Sequence, residues 1–238
     1  MTGAWLVLPT YNEAENIGPL VRAALPQLAE SGLPTRVLIV DDNSPDGTGR
    51  LADDLAREFD EVDVLHRPGK QGLGRAYLAG FGAALEGGAD LVMEMDSDFS
   101  HDPRDLPRLI AAAEAADLVL GSRYVPGGGV TQWGRLRRFV SRGGSAYARW
   151  LLGVPVRDLT GGFKCFNRRV LEAIDLEDVQ ADGYGFQIEL TYKAIKAGFT
   201  VAEVPIMFRE REVGRSKMTS RIVMEAVWKV PALRLRGR

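Results

Sequence analysis

Short apolar runs alternate with amphipathic stretches through the first 120 residues. Trp5–Leu8, Val37–Val40, Val62–Leu65, Leu91–Met95 and Leu118–Leu120 have the length and continuity of strands buried on both faces. Between the first two, Ile17, Leu20, Val21, Ala24, Leu25 and Leu28 recur at the spacing that lines one face of a helix. The alternation predicts β-α-β units around a mainly parallel sheet, with helices covering its faces. Asn12 followed by Glu15 reads as a helix N-cap with its third-position carboxylate, and Asp102-Pro103 as another helix start. Pro26 is expected to kink or end the first helix. After Ser122 the pattern changes to a loop rich in glycine and arginine, then a helix from about 136 to 152, then a mixed segment. Phe186–Ala197 reads as a helix, Thr200–Val204 as a strand, and Ser216–Val230 as an amphipathic helix with Met218, Ile222, Val223, Ala226, Val227 and Val230 on one face.

A chain of 238 residues with 45% apolar and 26% charged positions suits one large α/β domain with a substantial core. The single cysteine, Cys165, allows no internal disulfide, and with only His66 and His101 beside it no structural zinc cluster is expected. A reducing compartment fits. The opening run Ala4–Leu8 is too short for a signal-peptide core, and no stretch approaches the ~20 apolar residues that cross a bilayer. Charge is unevenly placed: residues 205–238 carry nine Lys/Arg against three Asp/Glu, which leaves residues 1–204 at about −8 of the overall −2. Gly121 to Arg149 holds six arginines and no acidic residue. Both basic stretches point to phosphate, and no nucleic-acid partner is expected.

In an open α/β sheet, ligands gather outside the carboxyl ends of the strands. Pro9, Tyr11 and Glu13 follow the first strand, Asp41 and Asp42 end the second, and Asp96 and Asp98 follow the fourth. If that last segment is extended, residues i and i+2 point to one side, and both carboxylates can face one hard cation such as magnesium or manganese. Two acids after a strand also serve as helix caps, but Asp102 already supplies that cap. The turn Pro9-Thr10-Tyr11-Asn12-Glu13 lacks a glycine fingerprint for a dinucleotide, no P-loop occurs, and no Gly-x-Ser-x-Gly elbow is present.

The runs Leu8-Pro9-Thr10-Tyr11-Asn12-Glu13, Val40-Asp41-Asp42-Asn43-Ser44-Pro45-Asp46-Gly47-Thr48 and Met95-Asp96-Ser97-Asp98-Phe99-Ser100-His101-Asp102-Pro103 resemble, in this order, the polyprenol-phosphate (dolichol-phosphate) mannose synthases of glycosyltransferase family 2. The resemblance continues through Gly121-Ser122-Arg123-Tyr124, Leu159–Phe163, Asp182–Gln187 and Gly214–Met218. It implies a GT-A fold and inverting transfer of mannose from GDP-mannose to a polyprenyl monophosphate. Carried over by motif, Pro9, Tyr11, Glu13, Val40 and Asp42 hold the nucleoside, while Asp96, Ser97 and Asp98 meet the donor diphosphate and a Mg2+ or Mn2+ ion. Some members add a glutamine ligand where this chain has Ser100. Arg123, Arg211 and Lys217 match positions that grip donor phosphates, and Arg123, Arg137 and Ser141 lie at the acceptor phosphate.

The resemblance divides a single catalytic domain into a nucleotide-sugar half, 1–122, an acceptor-side half, 123–215, and a basic amphipathic segment, 216–238. A phosphate monoester, with a second pKa of ~6, needs no catalytic base. Asp96, Asp98, Arg123, Arg211 and Lys217 are therefore expected to act by stabilising charge. His101, beside a helix start, reads as structural, Cys165 as core, and Trp133 and Tyr147 as packing aromatics, with contact to lipid as the alternative. A polyprenyl acceptor implies an enzyme working peripherally on the cytoplasmic face of a membrane, through the basic C-terminal helix or a membrane-protein anchor. A polyprenyl-phosphate glucosyltransferase using a UDP-sugar and a noncatalytic nucleotide-sugar sensor or adaptor are the alternatives.

Overall fold

The computed structural model describes residues 3–174, 176, 178, 179, 184–210, 230, 231, 233 and 234. Chain order is β1 Ala4–Thr10, α1 Ile17–Ala29, β2 Thr35–Asp41, α2 Thr48–Glu58, β3 Val62–His66, α3 Leu73–Glu86 and β4 Leu91–Glu94. A short 3-10 turn, Pro103–Asp105, leads into α4 Leu106–Ala112 and β5 Leu118–Ser122. There follow β6 Gly129–Val130, α5 Arg135–Leu152, β7 Lys164–Asn167, α6 Arg168–Ala173, α7 Tyr184–Lys196, β8 Val201–Pro205 and β9 Met207–Phe208.

The main sheet runs β3-β2-β1-β4-β7-β5-β8, and β6 pairs with β9 in a small second sheet. All neighbours in the main sheet are parallel except β7, which runs antiparallel to both β4 and β5. From β1 the chain winds outward to β2 and β3, then returns through α3 to β4 on the other side of β1. The order therefore reverses between β1 and β4, and their carboxyl ends open the crevice where such sheets take ligands.

Alternation along the strands divides the core. Leu6, Leu8 and Ile39 face a layer with Ile17, Leu20 and Leu28 of α1 and Leu106 and Leu109 at α4, while Val7, Leu38 and Val40 face Tyr77 and Phe81 of α3 and Phe186 and Ile188 of α7. On the second face Phe81 packs at 5.6 Å from Phe166, and each such fully buried side chain contributes about 1.5–3 kcal/mol. Gly80 lets α3 lie close on the sheet, since a Cβ there would stand 2.4 Å from Val7 Cγ1.

One local expectation is corrected and two gain detail. Asn12 does not cap a helix: it is left-handed at φ 58°, and α1 begins at Ile17 after an Asn16 that makes no side-chain cap bond. The backbone N–H groups of residues 12–14 instead donate to side chains of the neighbouring loop. Pro26 sits inside α1, in its last turn, and the helix ends three residues later at Ala29. The mixed segment after α5 contains β7, hidden because its lysine and asparagine spoil an apolar run. Asp102 does cap as expected, its carboxylate accepting from Arg104 N–H at 3.1 Å. The Ser216–Val230 helix lies outside the described residues but for Val230, which is buried. No helix among the described residues is long and apolar enough to cross a membrane.

Candidate active site at the carboxyl ends of β1, β2 and β4

The loops after β1 and β2 are stitched together. Asn12 N–H donates to Ser44 Oγ at 3.1 Å, Glu13 N–H to Thr48 Oγ1 at 3.0 Å, and Ala14 N–H to Asp46 Oδ2 at 3.1 Å. Burial pushes the Asp46 carboxyl up, but the hydroxyl and N–H of Thr48 and the Ala14 N–H outweigh it and leave its pKa lowered. Asp41 is consumed inside this wall, accepting from Thr10 and from both donors of Ser44. Pro9, Glu13, Val40 and Asp42 are buried and Tyr11 half-buried, with the Lys70 ammonium 4.3 Å from the Tyr11 ring centroid. Asp42 is paired with Arg67, a partner the sequence does not reveal. Desolvation raises the Asp42 pKa, and the charge and hydrogen bond of Arg67 restrain the rise.

β4 stops at Glu94, so Asp96 and Asp98 are not carried by an extended strand. They occupy a turn closed by a left-handed Phe99 at φ 60°, and the i/i+2 argument for them fails. The turn is held by its own polar groups: Ser97 Oγ donates to Pro9 O at 2.9 Å, and Asp98 Oδ1 accepts from Ser100 N–H at 2.9 Å. Ser97 thereby ties the acidic turn to the end of β1. Asp96 Oδ1 accepts from the hydroxyl of Tyr77 at 3.1 Å, whose ring is fully buried and stacked on Phe186. Burial first, and then the charges of Asp96, Glu94 and Asp98, push the Tyr77 pKa well above its ordinary value, so the phenol stays a donor. Tyr77→Phe removes a hydrogen bond to a charged group, which is worth roughly 1.5–3 kcal/mol, and is expected to lower stability by up to that amount and kcat/KM about tenfold. Steady-state rates beside a thermal melt check it.

Behind the turn lies a buried ion pair. Glu94 and Lys164 face each other across the antiparallel β4–β7 register, with Nζ 3.4 Å from Oε1. Lys164 also donates to Gln187 O at 3.1 Å and to the Gln187 side chain. A Cβ at Gly162 would lie 3.3 Å from Gln187 Nε2 and 3.7 Å from Asp96 Oδ2, so the glycine brings this cluster up against the acidic turn. Burial raises the Glu94 pKa and lowers that of Lys164, each opposed by the other's charge. Lys164→Met alone should cost about 3 kcal/mol, and adding Glu94→Gln should return most of it, since removing both charges relieves the desolvation. Urea unfolding of the single and double variants measures the difference.

In the second half of the chain, Arg123 at the end of β5 lies beside Asp158, Thr160 and the rings of Tyr124, Trp133 and Phe208. Its Nε and Nη2 each donate to an Asp158 carboxylate oxygen at 2.7 Å, and its backbone N–H to Oδ2 at 2.9 Å. Arg137 lies 4.3 Å from the Trp133 ring centroid and pairs with Glu210, and Ser141 shares a 2.6 Å hydrogen bond with Tyr124. Arg123, Arg137 and Ser141 are thus gathered around two aromatic rings. Trp133 is buried there as a packing aromatic. His101 is packed between Phe163 and Phe208, at 5.1 and 5.2 Å, as a structural residue. Burial drives its pKa down to about 4 against the pull of Asp98, with Arg123 adding to the fall and Asp158 opposing it. It is neutral near pH 7. Cys165 is core, and burial pushes its thiol up to about 12. Arg211 and Lys217 lie outside the described residues, as do Arg215, Asp182 and Gly183.

The carboxylates of Asp96 and Asp98 are hard oxygen donors, and Ser100 Oγ is buried with no hydrogen-bond partner. That donor set fits Mg2+ or Mn2+, which retain water and substrate phosphates as remaining ligands. No cluster of three or more His, Cys, Asp or Glu suited to a metal occurs among the described residues.

A sheet whose strand order reverses between β1 and β4, with polar loops at that crevice, an acidic turn after β4 and an arginine-rich second half, has the architecture of a GT-A glycosyltransferase. Residues 5–175 match glycosyl transferase family 2, and the chain belongs to that family. It is 50% identical over 239 residues to polyprenol monophosphomannose synthase of Mycolicibacterium smegmatis, a match covering 98% of this chain and 87% of the relative. With undecaprenyl-phosphate mannosyltransferase of Micrococcus luteus it shares 47% identity over 232 residues, covering 98% and 94%. Among solved structures, glucosyl-3-phosphoglycerate synthase from Mycobacterium tuberculosis, in complex with Mn2+, UDP and phosphoglyceric acid, aligns with a TM-score of 0.74 at 21% identity. That alignment covers 98% of this chain and 78% of the other, and carries the fold alone.

Proposed function

We propose that this enzyme transfers mannose from GDP-mannose to a polyprenyl monophosphate, with inversion and with Mg2+ or Mn2+, at the cytoplasmic surface of a membrane. The observation that carries the reading is the pairing of an acidic turn, Asp96–Asp98, with an arginine and aromatic cluster, Arg123, Arg137, Ser141, Tyr124 and Trp133, on one fold. One suits a metal-bound diphosphate, the other a phosphate monoester beside an apolar chain. The names and high identity of the two mannosyltransferase relatives support the choice of sugar and acceptor.

The loops after β1 and β2 would hold the guanosine, through Pro9, Tyr11, Glu13, Val40 and Asp42. Asp96 and Asp98, with Ser100 as third donor, would hold the metal, which supplies charge stabilisation to the departing diphosphate. The acceptor phosphate is largely ionised near neutral pH, its second pKa being ~6. One of its oxygens attacks the anomeric carbon from the side opposite GDP; the new C–O bond forms as the bond to the β-phosphate breaks, and the electron pair leaves with GDP. No proton has to be removed from the nucleophile, which suits a site whose histidine is buried between rings. Arg123 and Arg137, with Arg211 and Lys217, would bring two anionic substrates together and neutralise them.

Radiolabelled GDP-mannose, with UDP-glucose in parallel, offered to a short polyprenyl phosphate in detergent with and without Mg2+ or Mn2+ tests this. Metal-dependent label in lipid from GDP-mannose alone is expected. Label from UDP-glucose alone overturns the sugar, and no transfer from either donor overturns the activity.

A further inference from the structure

α5 carries two unlike faces. Ser145, Ala148 and Leu152 are buried against the body of the protein, and Ser141 is half-buried beside Tyr124. On the far side Phe139 and Trp150 are each 77% exposed, and Val140 is exposed beside them. Eleven residues separate Phe139 from Trp150, so at 100° per residue they point within about 20° of each other, roughly 16 Å apart along the axis. Arg138, Arg142 and Arg149 form a second exposed stripe, within about 40° of one another and roughly 100° around the helix from the aromatics. The helix contains no acidic residue, nor does any position from Gly121 to Arg149. A globular surface seldom leaves two large aromatics on one line uncovered.

We propose that the outer face of α5 is the surface by which the enzyme lies on an anionic bilayer. Phe139 and Trp150 enter the boundary between headgroups and acyl chains, and Arg138, Arg142 and Arg149 remain at headgroup level against lipid phosphates. Charge complementarity selects this occupant: a uniformly cationic stripe beside an aromatic one suits an anionic interface. The placement also gives α5 a purpose, which rests on the polyprenyl-phosphate reading. Its inner side offers Arg137 and Ser141 to the acceptor phosphate while its outer side touches the bilayer that holds the acceptor's tail. Phosphate and tail of one lipid then meet opposite faces of the same helix. The sequence pointed instead to the basic helix at 216–230, whereas α5 supplies the exposed aromatics.

Flotation of the full chain with phosphatidylglycerol/phosphatidylcholine vesicles, against phosphatidylcholine alone, tests the surface. The wild type should float on the anionic vesicles, and Phe139→Ala/Trp150→Ala should bind them at least tenfold more weakly. Arg138→Gln/Arg142→Gln/Arg149→Gln should weaken binding by about fivefold per arginine and flatten its dependence on lipid charge. Brominated phosphatidylglycerol should quench a fluorescence component that Trp150→Phe removes. Circular dichroism confirms that the variants fold. The aromatic double variant should match wild type on a short polyprenyl phosphate in detergent and lag on a long one in vesicles, a contrast that separates this inference from the activity itself. Unchanged flotation of the aromatic variant overturns it. So does a wild type that ignores protein-free vesicles, whether it self-associates through this face or requires a membrane-protein partner.

Discussion

Asp98→Asn is expected to lower kcat for mannosyl transfer by about 10^3-fold while the protein melts at its wild-type temperature. The two halves of that expectation come from two jobs done by one carboxylate. Oδ1 accepts from Ser100 N–H at 2.9 Å and closes the acidic turn; asparagine keeps that oxygen, so the turn persists. What asparagine removes is the negative charge, in a residue only 4% exposed, where a hard cation gains most from it. The wild-type carboxylate and its neighbour Asp96 would supply most of the protein's anionic oxygens to the metal. Loss of one should weaken metal binding as well as turnover, so Mn2+ titration followed by electron paramagnetic resonance provides a readout independent of rate. Asp98→Ala should lose turnover equally and, having lost the turn acceptor too, melt somewhat lower. Wild-type turnover in Asp98→Asn, with unchanged Mn2+ affinity, would remove this turn from the donor site.

The same turn shows how far the sequence could be read. Its residues are contiguous, so Asp96-Ser97-Asp98 is legible in the sequence, but the extended geometry their spacing suggests is not the one they adopt, because nothing local announces that β4 ends at Glu94. Parallel strands buried on both faces were legible as unbroken apolar runs, and β1, β2, β3 and β5 each fell within two residues of where those runs begin and end. β7 was not, since its Lys164 is tolerated only because Glu94 stands across from it in an antiparallel register that exists after folding. The partners that orient the candidate site escaped for a similar reason. Tyr77 reads as one more core position of an amphipathic helix, Arg67 as a surface cation, and Asp158 as a loop acid. Each acquires meaning only through a residue far away in sequence: Asp96, Asp42 and Arg123. Exposed aromatics on α5 are equally invisible in the pattern, because Phe139 and Trp150 could have been core had the sheet lain on that side.

Asp158→Ala is expected to destabilise the fold by about 3–5 kcal/mol, the cost of leaving a buried charge without its partner. Asp158 is fully buried and Arg123 nearly so, and both carboxylate oxygens are used by the guanidinium. The surrounding rings of Tyr124, Trp133 and Phe208 cannot compensate, since a cation over an aromatic face contributes only ~0.5–2 kcal/mol. For a chain of this size the melting point should fall by about 10 °C. The pH dependence has a definite sign. Burial alone would raise the Asp158 pKa, but the charge and hydrogen bonds of Arg123 outweigh it and hold the pKa below the ordinary value. A depressed carboxylate contributes its stability in full above the unfolded pKa of ~3.9 and loses it as pH falls through the lower folded value. The gap between wild type and variant should therefore be level from pH 8 to pH 5 and narrow only below about pH 4, which urea unfolding across that range can follow. Activity should suffer beyond what stability explains. Asp158 sits in the connection after α5 and holds Arg123 at the end of β5, and Thr160, which also bonds Arg123, reaches Ser145 on the helix at 3.3 Å. Cutting the pair unfastens the arginine and aromatic cluster from the sheet, so the variant should turn over poorly even at temperatures where it remains folded.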